Sequence, residues 1–329
     1  MHARKSDFFN AMLSRRHIRV KVMQLLFAQR YDPREVMAEP VAEKRIAQSM
    51  NEVYSAYLYM LDYARQLMQF ARQLDQDQAQ RYLKDETLLR ANAKLYENPL
   101  FERLEDNSAL EKALEQYQAR FRGDRDLLRK IFQELRNNDE YAAYLRLDDD
   151  TRLLHMDMIY YLINHFGRDY ALFAQHLEEE FPNWQDDRRL VMKMVRKTLR
   201  TLVYEKEKTR NILEPIAAEP QAIREFGTRL YIKNIAHQPD FASMLRSKMT
   251  HTDADAVPIV DHILMEMGVS EFLHFPTIPV SATINEYVDI AKVYSLPSSK
   301  KMVNAVLQSA YDELNQSGRI YKTERPKPS

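Results

Sequence analysis

Five glycines in 329 residues set the first constraint on this chain: Gly123, Gly167, Gly227, Gly268 and Gly318. At ordinary usage, roughly 7 %, a chain of this length would hold about two dozen. The closest two, Gly227 and Gly268, stand 41 positions apart. A loop that cradles phosphate needs two or three glycines within about six residues, because only glycine lets the backbone come that close to the ligand. Neither a dinucleotide-binding fingerprint nor a P-loop can be written with this spacing. Scarce glycine beside abundant Leu, Arg, Glu, Gln and Met, with few strand-like runs, predicts an all-α protein.

The chain has no cysteine. That removes disulfides, thiolate zinc sites, iron–sulfur clusters and cysteine nucleophiles. Its nine histidines include no HExxH and no pair four apart, so no helix-borne metal site is expected. There is no GxSxG elbow either. The Asp148-Asp149-Asp150 cluster reads as an acidic helix start rather than a cation loop. An enzyme is therefore not expected, nor a cofactor. No apolar run approaches the roughly 18–20 residues of a membrane helix. The opening MHARKSDFFNAMLSRRH lacks the continuous apolar stretch of a signal peptide, so a cytoplasmic location without a membrane partner is expected. The 48 basic and 48 acidic residues cancel, but the distribution of charge matters more for a nucleic-acid partner than its total.

Apolar residues at three- and four-residue steps predict a first helix over 13–31, capped by Ser14 and stopped at Asp32-Pro33. The longest helix is expected over 41–84. Others follow over 84–96, 108–122, 124–136, Asp148 through Ile163, 168–181, 186–210, 221–236, 238–249, 256–273, 281–294 and 298–316. Four tyrosines, Tyr54, Tyr57, Tyr59 and Tyr63, sit around the long helix rather than along one exposed stripe.

The first helix carries the clearest charge signal. Arg15, Arg16, Arg19 and Lys21 fall within seven residues, and no acidic residue occurs from position 8 to position 31. The three arginines share one helical turn, so their guanidinium groups can converge on neighbouring phosphates. A basic run of this kind also occurs as a plain solvated face. A second basic helix, 188–210, has nine basic and two acidic residues. It either extends a nucleic-acid track or pairs with the nearby Glu178-Glu179-Glu180.

The most specific stretch is 276–307, PTIPVSATINEYVDIAKVYSLPSSKKMVNAVL. It describes a helix from about Ser281, a Tyr294–Ser299 loop, and a second helix that Ser298 or Ser299 can cap. Lys300 and Lys301 stand at the rim. The Pro-Val, Ile-Asn-Glu, Ala-Lys, serine turn with lysines, and Val-Asn before Val-Leu resemble the C-terminal signature of the NusB family of transcription antitermination factors. RRHIRVKVMQLLF (15–27) resembles that family's opening helix. FGTRLYIKNI (226–235) and DHILMEMGVSEFLHF (261–275) are similar to helices between them.

The resemblance implies an all-helical, NusB-like bundle enlarged by additional helices, acting without catalysis. With NusE, a small-subunit ribosomal protein, the family binds boxA elements of nascent RNA and holds them to the RNA polymerase elongation complex through other Nus factors. Carried over by position, the RNA-binding residues would be Arg15, Arg16, Arg19 and Lys21, with Tyr294, Ser298, Ser299, Lys300 and Lys301 in the loop. Asn285, Glu286 and Asn304 match motif positions with expected structural roles. The implied organisation is an N-terminal extension (1–12), an N-terminal helical part with a large insert (13–225), the NusB-like bundle (226–320) and a disordered tail (321–329). Two departures, Ala305 where the family often has glycine and Glu266 where it often has arginine, are expected near the RNA edge. With the insert, they leave open a helical interaction scaffold that kept the fold without the RNA role. RNA cytosine methyltransferases with a NusB-like domain add a glycine-containing cofactor domain and a cysteine, and neither occurs here.

Overall fold

The computed structural model describes residues 13–32, 37–81, 92–205, 211–248 and 257–323. Among them are fourteen α-helices and no strand beyond one isolated bridge between Leu13 and Ala217. The chain divides into two compact units, one built from 13–49 and 217–329, the other from 50–216. The basic first helix thus belongs with the C-terminal helices and not with the segment that follows it, which departs from the linear division at 225. The expected extension at 1–12 and most of the tail lie outside the described residues.

The first of these units holds α1 (Arg15–Tyr31), the opening turns of α2 (Glu39–Arg81), α11 (Pro220–Lys248), α12 (Ile259–His274), α13 (Val280–Tyr294) and α14 (Ser299–Gln316). Helix α12 is buried almost all round, from Ile263 to Phe272. A helix apolar on every face can sit only in a core, and α12 packs against α1, α11, α13 and α14. Gly227 sets the approach of α1 to α11. A Cβ there would lie 2.5 Å from Ile18 Cγ2 and 3.2 Å from Ile46 Cγ2. Both neighbours are β-branched and fully buried, so neither methyl can swing away. Gly227→Ala is expected to destabilise the protein by about 1–3 kcal/mol in urea unfolding. Gly318 closes α14 at φ +66°, with Arg319 N–H donating to Leu314 O and Gly318 N–H to Asn315 O, the Schellman pattern that favours glycine.

Helix α11 runs unbroken through Pro239, where the sequence suggested two helices. Proline removes one hydrogen bond, but Phe241 and Leu245 beyond it are buried and hold the last turns in place.

The other unit holds the rest of α2 and α3 (Ala93–Tyr96), α4 (Pro99–Glu105), α5 (Ser108–Gln116), α6 (Arg125–Arg136), α7 (Asp139–Arg146), α8 (Arg152–Asp169), α9 (Ala171–Glu180) and α10 (Trp184–Tyr204). Helices α4 and α7 were not expected. Both begin at asparagine caps: Asn98 accepts from Leu100 and Phe101 amides at 3.0 and 2.9 Å, and Asn138 from Tyr141 at 3.0 Å. Tyr54, Tyr57, Tyr59 and Tyr63 are all buried; Tyr57 bonds Thr198 at 2.6 Å and Tyr59 bonds His176 at 2.5 Å. The Asp148–Asp150 run does open a helix: Asp149 accepts from Thr151 N–H at 3.0 Å, and Thr151 caps α8 through Leu154 N–H. No helix among the described residues is long and apolar enough to cross a membrane.

Candidate nucleic-acid interface

Helix α1 starts at Ser14, whose amide donates to His17 Nδ1 at 3.2 Å. Ile18, Val22 and Leu26 face the core, which fixes where the basic residues between them point. Arg15 is exposed and lies over the Phe226 ring, 5.6 Å from its centroid. Arg16 is half-exposed. It donates through Nε to Glu286 at 2.8 Å and through Nη2 to Asp289 at 2.9 Å. Its own pKa is raised chiefly by the Glu286 hydrogen bond, while Lys292 and Arg16 together lower that of Asp289.

Arg19 differs from the sequence expectation. It is 3 % exposed and makes a two-pronged ion pair with Glu271, 2.6 Å from Nε and 2.9 Å from Nη2. Glu271 also accepts from Tyr287 Oη at 2.6 Å and from Thr283 Oγ1 at 3.1 Å. Burial works against the charge on Arg19, but the bonds and charge of Glu271 outweigh it and the net shift is upward. A guanidinium enclosed in this way cannot reach a phosphate. Lys21 is equally buried, at 3 %. Of the four basic residues expected on the interface, Arg15 and Arg16 remain at the surface.

In the second element, Tyr294 is half-buried and Ser298, Lys300 and Lys301 are exposed. Ser299 is buried and donates its hydroxyl to Asp261 across the bundle, so it ties α14 to α12 instead of facing solvent. Ser298 stands at the cap position of α14 without a side-chain capping bond. Asn285 and Asn304 are exposed and make no side-chain hydrogen bond among the described residues, so of the three motif positions only Glu286 has a bonding role. Glu266 is 2 % exposed and accepts from Arg30. Burial raises its pKa against the pull of that arginine. It is a core residue, not part of an RNA edge.

Helix α10 leaves Arg189, Lys193, Arg196 and Arg200 exposed. Lys197 bonds Glu214 at 2.6 Å. Of the three nearby acids, Glu180 bonds Arg122 and Glu179 bonds Gln175, while Glu178 accepts from Gln185 in the first turn of α10 rather than from one of its basic residues.

One cluster was missed by the sequence reading. Arg229 lies 5.1 Å over the Phe275 ring, and the His237 and His274 rings stack at 5.0 Å. Burial, helped by His237, Lys233 and Arg229, pushes the His274 pKa down to about 4. Its unfolded value is near 6.5. Between those two values the unfolded chain carries a proton that the folded one lacks, so stability falls as pH drops through that window. The melting temperature should decline from about pH 6.5 toward pH 4, and His274→Gln should flatten that decline.

Comparisons with known proteins fit this geometry. Residues 185–312 match the NusB family model. The transcription antitermination protein NusB of Chloroherpeton thalassium is 28 % identical over 114 residues, 35 % of this chain and 54 % of that protein. The protein of the same name from Salinibacter ruber is 26 % identical over 111 residues, 34 % of this chain and 69 % of the relative. That from Shouchella clausii is 30 % identical over 88 residues, 27 % of this chain and 66 % of the relative. The chain thus spans about half the length of the first of these relatives. No solved structure matches it significantly. Helix α1 lies outside the matched stretch but packs on its α11 and α12. This chain is an all-α protein that carries a NusB-like domain.

Proposed function

We propose that this protein is an RNA-binding transcription antitermination factor. With NusE it binds boxA-type elements of nascent ribosomal RNA and, through other Nus factors, holds them to the RNA polymerase elongation complex. The reading rests on one observation above the others: an exposed Arg15–Arg16 pair at the start of a helix packed on NusB-like helices. Asp289, which Arg16 contacts, lies five residues before Tyr294, about 7.5 Å along the helix axis. Arg16 therefore stands within about a turn and a half of Tyr294, where the turn through Ser298 begins that leads to Lys300 and Lys301 in the first turn of α14. Arginines supply planar forks for phosphate and the lysines supply point charges. Such contacts give salt-dependent affinity and position the strand. No catalytic step belongs to this role.

The test is a mobility shift of boxA RNA by the full chain, with and without NusE, at several salt concentrations. The reading expects a shift that NusE strengthens and salt weakens. It is overturned if neither condition shifts the RNA.

A further inference from the structure

A pocket of about 670 Å³ opens where α11, the end of α12 and the segment after α14 meet, with His237, Phe241, His274, Arg319 and Tyr321 in its lining. The volume is that of a small-ligand site. Three features mark its chemistry. His274 Nε2 is buried and has no hydrogen-bond partner among the described residues, and buried polar atoms ordinarily have one. The stacked histidines continue into Phe241, 5.7 Å from His237 with the rings tilted by 35°, so the floor is aromatic. Tyr321 at the rim is 78 % exposed, an aromatic ring left largely open among the described residues.

A row of cations leads to the pocket. Arg15 lies over Phe226, the Phe226 and Phe275 rings meet edge to face at 5.2 Å, and Arg229 lies over Phe275. Arg229, Lys233 and His237 follow at four-residue steps and so share one face of α11. Neither Arg229 nor Lys233 makes an ion pair among the described residues, and Arg319 continues the positive charge into the pocket lining.

We propose that this row and pocket form a track for single-stranded RNA, with phosphates along Arg15, Arg229 and Lys233 and an unpaired base in the pocket. Only an unpaired base presents a flat face that Tyr321 and the histidine pair can stack on. Asp240 at the same rim accepts from an exocyclic amine and disfavours an acidic peptide. The proposal rests on the RNA-binding reading above and adds residues to it.

The test uses the full chain and a labelled single-stranded RNA of roughly 12 nucleotides, followed by anisotropy at several salt concentrations. Tyr321→Ala should weaken binding by roughly fivefold or more and leave the salt slope unchanged. Lys233→Ala with Arg319→Ala should lower the slope by roughly 1.4, at about 0.7 per phosphate on a single strand. All three side chains reach solvent, and unchanged thermal unfolding of both variants shows that a loss is not a loss of fold. If the wild type binds RNA through Arg15 and Arg16 while these variants match it in affinity and slope, the track is wrong and the RNA reading stands. If the wild type binds no RNA, both are wrong. Displacement by poly-glutamate as efficiently as by unlabelled RNA overturns the track in favour of an acidic protein partner.

Discussion

Glu271→Ala is expected to cost about 3–5 kcal/mol, the usual loss when one member of a buried ion pair is removed. That is a large share of the about 5–15 kcal/mol that holds a domain together. The reason lies in what the substitution leaves behind. Arg19 is enclosed, and its nearest remaining carboxylate is Glu286, 3.5 Å from Nη1. Tyr287 Oη and Thr283 Oγ1 lose their shared acceptor at the same moment. Burial and the Glu271 charge already hold the Tyr287 hydroxyl protonated, well above its ordinary range. Arg19→Ala should cost a similar amount, because Glu271 would then lack its ion-pair partner at 0 % exposure. A buried pair is weak evidence of net stabilisation, however, since both charges were taken out of water to form it. The double variant Arg19→Met, Glu271→Leu should therefore recover most of the loss, and the two single costs should not add. Urea unfolding followed by circular dichroism measures all three. A single-variant cost below about 1 kcal/mol would show that water reaches the pair and the enclosure argument is wrong.

That pair also marks where sequence reasoning ran out. Arg15, Arg16 and Arg19 look alike in the sequence, three arginines within one turn. Which of them faces solvent is decided by Glu271, 252 positions away in the chain, and no local pattern carries that information. The helices were legible because their apolar spacing is local; α4 and α7 escaped because each is short and announced mainly by an asparagine cap. Asn98 followed by Pro99 was a readable start signal, a cap and then proline at the first helical position. The charge pairing of α10 is not legible locally either: of Glu178–Glu180 only Glu178 reaches the helix, through Gln185, while Gln175 and Arg122 take the other two. The glycines that excluded a phosphate loop turn out to have local work of their own. Gly227 and Gly268 each let a helix approach a branched side chain closely, with a built Cβ falling 2.5 Å from Ile18 and 2.6 Å from Leu307.

Neutralising the two acids beside Arg16 is expected to tighten RNA binding, and removing the arginines to weaken it. In the free protein Arg16 is shared between Glu286 and Asp289, and its side chain is 47 % exposed. Exposed pairs of this kind are worth about 0–1 kcal/mol, so a phosphate can displace the carboxylates at little cost. The carboxylates nevertheless stand in the path of the strand and repel it. Glu286→Gln with Asp289→Asn removes that repulsion, keeps a hydrogen-bonding side chain at both positions, and frees the guanidinium. The expected gain is severalfold at low salt and shrinks as salt screens the charges. Arg15→Ala with Arg16→Ala should lower the salt slope by roughly 1.4, at about 0.7 for each phosphate contact on a single strand. Arg19 and Glu271 stay intact in both variants, and because Glu286 also stands 3.5 Å from Arg19 Nη1, unchanged thermal unfolding of each variant shows that a change in affinity is not a loss of fold. Opposite effects from the two variants are the signature of an arginine exchanged between protein carboxylates and RNA phosphate. An unchanged slope in the arginine variant, with no gain from the acid variant, would make Arg16 a strut between α1 and α13 and nothing more.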